Sequence, residues 1–180
     1  MYKAPETKLL VERIEMLNAM DLSDITDITV ATMEYTKGFN IGTQLTDYGK
    51  LSVIQSYWEG VLLVPEIELF VGRMDGVIAG TLQLVKPSPS NQTSEFACVI
   101  NNFFIAPWAR GFGLSEMMMD AAEKEAKMLG FSLIKVSVRE TREAALKVFE
   151  RRGYVRWGVL PKYELDGGKI VPGIFYYKEI

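Results

Sequence analysis

Residues 101–116 read NNFFIAPWARGFGLSE, and this stretch decides the fold. An apolar, aromatic run through Ile105 reads as a strand, which ends at Pro107. Glycines follow at positions 111 and 113, and from Leu114 onward apolar residues recur at helical spacing. The first N–H groups of a helix have no intrahelical acceptor, so a strand, glycine turn and helix start in this order suit a pyrophosphate. Gly111 and Gly113 permit the backbone conformations and the close approach that this needs, and Arg110 adds a cation. The stretch is not a dinucleotide fingerprint, because Glu116 stands in the place of the third glycine. It is not a Walker motif either, because Leu114 stands where the lysine after Gly113 would be.

Reading outward, Leu114 to Leu129 is predicted as a helix with Leu114, Met117, Met118, Ala121, Ala122 and Leu129 on one face and Gly130 at its end. Residues 132–138 read as a strand. A short helix carrying Ala144, Ala145, Val148 and Phe149 follows, with Thr141 as its cap and Gly153 at its end. Strands over 154–165 and 170–178 are joined by Asp166-Gly167-Gly168. On the other side lies a strand over 96–105, preceded by the polar, proline-broken loop of 86–94 (KPSPSNQTS). Before it, strands over 67–73 and 77–85 flank Met74-Asp75-Gly76, a hairpin signal. A helix over about 46–60 precedes that hairpin, and another begins at the capping residues 21–23 with Ile25, Ile28 and Met33 on its apolar face. A first strand falls within 8–17. The order gives a single mixed α/β domain over 1–180, with antiparallel hairpins flanking a central strand–helix–strand crossover. A Rossmann array would alternate strands and helices from the start.

Composition narrows the chemistry. With 48% hydrophobic and 24% charged residues the chain is globular, long enough at 180 residues to bury a core without disulfides or a structural metal. Twenty basic against 23 acidic residues leave a net charge of −3 and no basic stripe, so nucleic acid is not an expected partner. The chain has no histidine, which excludes histidine-based triads, imidazole acid–base chemistry and histidine zinc sites, and no metal is expected. Cys98 is the one cysteine, so no internal disulfide forms, and its neighbours Phe96, Ala97, Val99 and Ile100 mark it as a buried structural thiol. No uncharged apolar run, Val61 to Pro65 among them, is long enough to span a bilayer, and the charged N-terminal region lacks a signal-peptide hydrophobic segment. A cytoplasmic protein that uses no membrane is expected.

Ile105-Ala106-Pro107 followed by Arg110-Gly111-Phe112-Gly113-Leu114-Ser115 resembles the phosphate turn of the GNAT superfamily of CoA-dependent N-acetyltransferases, with Ser115 a small substitute at its last place. The resemblance extends to the strand of 76–84 and to residues 142–154, REAALKVFERRGY, about two-thirds of the chain. It implies a splayed, mostly antiparallel mixed sheet flanked by four helices, with acetyl-CoA as cosubstrate. Backbone groups of Phe103, Phe104 and Ile105 would pair with the pantetheine arm, and the amides of Gly111, Phe112, Gly113, Leu114, Ser115 and Glu116 would hold the pyrophosphate beside Arg110. The thioester carbonyl would rest against a backbone N–H near Ile105. Arg142 stands where the family has an asparagine and would face the cofactor, while Phe149 and Ala145 would pack on its pantetheine end. The partners implied are CoA, an amine-bearing acceptor and, for a homodimer, a second copy of the chain.

Three departures bear on catalysis. Val99 and Ser137 stand where family members carry a glutamate, and Phe149 replaces the tyrosine that commonly protonates the departing thiolate. Strand alternation puts Asn101 on the face of Val99, where it can orient an acceptor amine, and Glu95 is the nearest candidate for a water-relayed base. Tyr154, Tyr163 and Tyr176 are candidate substitute phenols among which the sequence does not choose. The resemblance implies acetyl transfer to a primary amine within a ternary complex. The missing glutamate and tyrosine motivate a CoA-binding sensor without turnover as the alternative, and a nicotinamide oxidoreductase stands third. An ordinary thiol has a pKa of roughly 8.5, so a thiolate departs without a proton far more easily than an amine. Phe149→Tyr is therefore expected to raise the rate by less than about 10²-fold, the lower bound of general acid catalysis, as read in a pH–rate profile beside the wild type.

Overall fold

The computed structural model describes residues 6–36, 41 and 51–180. Seven strands form one sheet in the order β1-β2-β3-β4-β5-β7-β6. They are β1 (Leu9–Ile14), β2 (Ile67–Met74), β3 (Val77–Val85), β4 (Ala97–Ile105), β5 (Leu133–Arg139), β6 (Val155–Asp166) and β7 (Lys169–Glu179). Four α-helices among the described residues flank it: α1 (Ala19–Thr36), α2 (Leu51–Val61), α3 (Leu114–Met128) and α4 (Glu143–Arg151). Every neighbouring pair of strands is antiparallel except β4 and β5. The splayed, mostly antiparallel sheet implied by the family resemblance is the sheet observed.

The hairpins form where turn chemistry predicts them. Met74 pairs with Val77 across Asp75 and Gly76, both at positive φ, the conformation that a two-residue hairpin turn demands. Gly167 and Gly168 do the same between Asp166 and Lys169. Two helix starts differ from expectation. The α1 helix begins at Ala19, because the Asn18 side-chain oxygen accepts the Asp21 N–H at 2.9 Å and caps the first turn. Asp21 instead receives Arg73 at 2.7 Å, and Arg73 also binds Glu12 at 2.6 Å, tying α1 to the β1–β2 edge. Thr141 does not cap α4. Its hydroxyl donates to Asp166 at the tip of the β6–β7 hairpin, and Arg142 takes the N-cap position without a side-chain cap. Residues 46–50 of the predicted second helix lie outside the described residues, and α2 runs from Leu51.

The two sheet faces carry different helices. On one, Trp58 of α2 is fully buried, donates to Thr29 of α1 at 3.0 Å and meets the Phe104 ring at 6.3 Å. On the other lies α3, whose Leu114 and Met118 occupy the space beside Gly72 and Gly80. A Cβ on Gly72 would come within 2.8 Å of the Met118 sulfur, and one on Gly80 within 2.5 Å of Ile105 Cδ1 and 3.1 Å of the Phe104 carbonyl. These glycines let the helix sit close to the sheet, which fixes where its N-terminus lies. Cys98 is fully buried in β4, and burial pushes its thiol up to about 12, so it stays protonated and inert at neutral pH. Gly80→Val overpacks the α3–sheet contact, and urea denaturation is expected to show a loss of about 1–3 kcal/mol.

Candidate active site

The sheet parts at its centre. Strands β4 and β5 pair only from Ala97↔Leu133 to Ile100↔Val136. Beyond those pairs β4 stays with β3 as far as Gly80↔Ile105, and β5 stays with β7 as far as Arg139↔Gly173. A cleft of about 940 Å³ fills the V between them. Its walls include Thr32, Tyr35 and Thr36 of α1 from one face and Ala144, Ala145, Val148 and Phe149 of α4 from the other. The opening therefore passes through the sheet.

At one mouth stands the glycine turn. Gly111 and Gly113 have φ of +85° and +88°, and a Cβ on either would meet nothing within 4 Å. Glycine is required here for conformation and not for space. Gly113 is the N-cap of α3 and offers no capping side chain, so the N–H groups of the first helical turn remain for a ligand. Arg110 donates to the Ile105 carbonyl at 3.2 Å and lies over the Tyr35 ring at 4.4 Å. Arg110, Arg139, Arg142, Lys147 and Arg151 line the cleft against Glu143 and Glu164 alone, so its described walls are positive in a protein whose net charge is negative. Burial, with Arg139 and Arg110 nearby, pulls the Arg142 guanidinium below its ordinary value, and Asp166 holds it at 3.1 Å.

Of the residues singled out in the sequence, Asn101, Phe103, Phe104, Ile105, Arg110, Gly111, Gly113, Leu114, Ser115, Arg142, Ala145 and Phe149 all line this cleft. Phe112 and Glu116 belong to the turn by their backbones, but their side chains lead away from it. Phe112 is half exposed, and the Glu116 carboxylate pairs with Arg151 at 3.2 Å and Arg152 at 2.8 Å. Glu95 does not reach the site. It lies before the first residue of β4, borders a separate groove with Pro65, Lys86 and Phe131, and is six residues from Asn101, about 20 Å along a strand. Strand alternation predicts a face but not a depth, and Glu95 is at the wrong end of the strand to serve as a base here.

The sequence reading missed a bulge. Asn101 pairs with Gln83 and Phe104 with Thr81, so Asn102 and Phe103 together oppose Leu82. Asn102 takes a φ of +46°, which asparagine tolerates better than most residues, and that tolerance is the signal in the sequence. Its side-chain amide donates to Tyr57 Oη and to Gln83 Oε1 (3.2 Å), and Gln83 donates to the same phenol at 3.1 Å. The bulge leaves Phe103 facing α4, where its ring meets Phe149 at 6.1 Å. Asn101 keeps the face of Val99, with Ser137 opposite at the fork. The Ser137 hydroxyl is 2.7 Å from the Tyr163 phenol, which also lines the cleft. Tyr154 and Tyr176 do not. Tyr176 is buried and donates to Glu150 at 2.9 Å, and Tyr154 is buried with Lys178 at 5.5 Å over its ring.

Known proteins share this fold. The sequence profile of the acetyltransferase (GNAT) family matches residues 31–154. An uncharacterised N-acetyltransferase of Azospirillum brasilense, from the hisH–hisA intergenic region, is 41% identical over 137 residues, covering 76% of this chain and 79% of its own. Among solved structures, a ribosomal L7/L12 α-N-protein acetyltransferase in complex with coenzyme A superposes with a TM-score of 0.78 at 13% identity, covering 96% of this chain and 94% of its own. An acetyltransferase of the GNAT family from Streptococcus pneumoniae does so with 0.74 at 14% identity, covering 96% and 100%. At these identities the structural likeness is one of fold.

The turn geometry generates a specific expectation. Gly113→Asp places a side chain at a left-handed φ and a negative charge beside the free amides, opposing an anionic ligand by strain and by charge. Calorimetry with CoA should show affinity lost by tenfold or more, about 1.4 kcal/mol, while the thermal transition moves by only a few degrees. Unchanged affinity would place the phosphates elsewhere.

Proposed function

The chain belongs to the GNAT family of acetyltransferases, and from that premise we propose that it transfers an acetyl group from acetyl-CoA to a primary amine by direct attack in a ternary complex. The observation that carries this reading is the parting of β4 from β5, a cleft lined from both faces of the sheet with a ligand-ready helix start at one mouth. An arm anchored by its phosphates at Gly111 to Ser115 can run along the unpaired edge of Phe103 to Ile105 toward the fork at Asn101 and Ser137. An amine can approach the same fork from the α1 side, beside Asn101. Both reactants then meet without either blocking the other.

The residues present fit such a cofactor. The amides of the first α3 turn and the basic walls suit its phosphates, and Phe103, Ala145, Val148 and Phe149 give an apolar wall for the arm. When bound, the cofactor supplies an activated acetyl thioester. The protein's part is to orient it, to offer a backbone N–H near Ile105 to the carbonyl oxygen as charge develops there, and to hold the amine in line. Asn101, exposed at the fork, is the residue proposed to orient that amine. None of this needs a histidine or a nucleophilic thiol, and Cys98 is in any case sealed in the core.

The test is release of free thiol from acetyl-CoA in the presence of polyamines, aminoglycosides and peptides with free N-termini, read with a thiol-reactive dye. Buried Cys98 adds no background to that readout. Amine-dependent thiol release above the rate with acetyl-CoA alone is expected, with stoichiometric acetylation of the amine by mass spectrometry. CoA binding with no turnover on any amine would favour a sensor that has kept the cofactor cleft and lost the reaction.

A further inference from the structure

Strand β6 is irregular at one place, and the irregularity has a definite product. Leu160 pairs with Gly173 and Glu164 with Val171, so Pro161, Lys162 and Tyr163 together oppose Pro172. Tyr163 is swung across β7 and lies flat on Gly173, where an added Cβ would stand 2.3 Å from the ring. The edge of Phe175 meets the ring at 5.5 Å and 81°, completing the seat. The phenol oxygen thereby reaches the Ser137 hydroxyl at 2.7 Å. Ser137 is the first residue of β5 past the last pair with β4, so this phenol stands at the fork itself.

The other described phenols stand elsewhere. Tyr35 lies on α1 beneath the Arg110 guanidinium at the mouth of the cleft, Tyr57 is bound by Gln83 and Asn102, and Tyr154, Tyr176 and Tyr177 do not line the cleft. Position 149, next to the arm, holds a phenylalanine.

We propose that Tyr163, seated by Gly173 and oriented by Ser137, is the proton donor to the departing sulfur of CoA. The inference rests on the acetyl-transfer reading above. The amine lone pair forms the new N–C bond at the carbonyl carbon, and the C–S bond breaks with its electron pair going to sulfur. Tyr163 Oη gives its proton to that sulfur. The acylated nitrogen releases one proton to solvent, and the phenolate recovers one from solvent, so the enzyme ends each turnover as it began. Burial pushes the Tyr163 phenol up, the Ser137 bond opposes this and Glu164 reinforces it, so the proton is in place at neutral pH. The charged groups facing the phenol are Arg139 from β5 and Glu164 beside it on β6.

The decisive experiment needs no acceptor. A donor aimed at the sulfur favours the thiolate of bound CoA, so CoA affinity should tighten as pH rises from 7 toward the free-thiol value of roughly 8.5, by about tenfold for each unit of depression. Calorimetry across that range should show the tightening in the wild type and its loss in Tyr163→Phe, which keeps the ring on Gly173 and hence the fold. Desulfo-CoA, which lacks the thiol, should bind both proteins with the same shallow pH dependence, removing Arg139, Glu164 and the phosphates from the comparison. Ser137→Ala should lie between the two. In amine-dependent thiol release, Tyr163→Phe should lose about 10²-fold in kcat with KM for acetyl-CoA little changed. The same tightening in Tyr163→Phe as in the wild type, or none in the wild type, overturns the assignment. Failure of the wild type to release thiol with any amine overturns the transfer reaction instead, and the CoA titrations still decide whether Tyr163 meets the sulfur.

Discussion

A backbone amide that loses its ladder partner inside a protein must find another, at a cost of about 1–3 kcal/mol if it does not. The parting of β4 from β5 after Ile100 and Val136 sets this condition at the middle of the sheet, and much of the surrounding structure answers it. On the β4 side, Thr81 donates to the Asn102 carbonyl at 2.8 Å and Arg110 to the Ile105 carbonyl at 3.2 Å. On the β5 side, β7 keeps the outer edge paired as far as Arg139, with Glu140 donating to the Pro172 carbonyl just beyond, so only the inner edge of β5 is left open. What remains along the two inner edges is a row of backbone groups that an extended polar chain can satisfy.

Holding the V open also requires that α3 and α4, which follow the two diverging strands, keep a fixed spacing. Arg152 at the end of α4 binds Glu116, Asp120 and Glu123 of α3 at 2.8, 2.6 and 3.2 Å, and Lys178 of β7 joins Glu123 at 2.8 Å. The acids surrounding Arg152 raise its already high pKa despite its burial. The same network settles an apparent contradiction at the glycine turn, where a carboxylate follows the free amides. Glu116 stands one turn from an anion site, but two guanidinium groups draw its charge toward α4.

Local chemistry was legible in the sequence, and long-range geometry was not. The Asp75-Gly76 and Gly167-Gly168 turns, the helix start after Gly113 and the buried strand around Cys98 each follow from neighbouring residues, and each appears as read. Thr141 looked like a cap because caps are recognised by adjacency, but Asp166, distant in sequence, claims its hydroxyl. Glu95 looked near the chemistry because face was inferred without depth. The bulge at Asn102 and the three-against-one bulge at Pro161 to Tyr163 depend on pairing partners far along the chain, and they decide which side chains reach the fork. The choice among three tyrosines therefore had to wait for the register of β6 on β7.

The contrast between a basic cleft and an acidic whole has a consequence for encounter kinetics. At a distance the molecule presents a net charge of −3, which repels a polyanion, while the walls of the V present the opposite sign. Mobile ions damp fields over about 8 Å at physiological ionic strength, shorter than the width of a small domain. In that regime an approaching nucleotide is blind to the far surface and senses only the arginines at the mouth it is entering. As salt is removed the screening length grows and the repulsive far field extends outward, so dilution of the buffer strengthens the grip inside the cleft while slowing arrival at it.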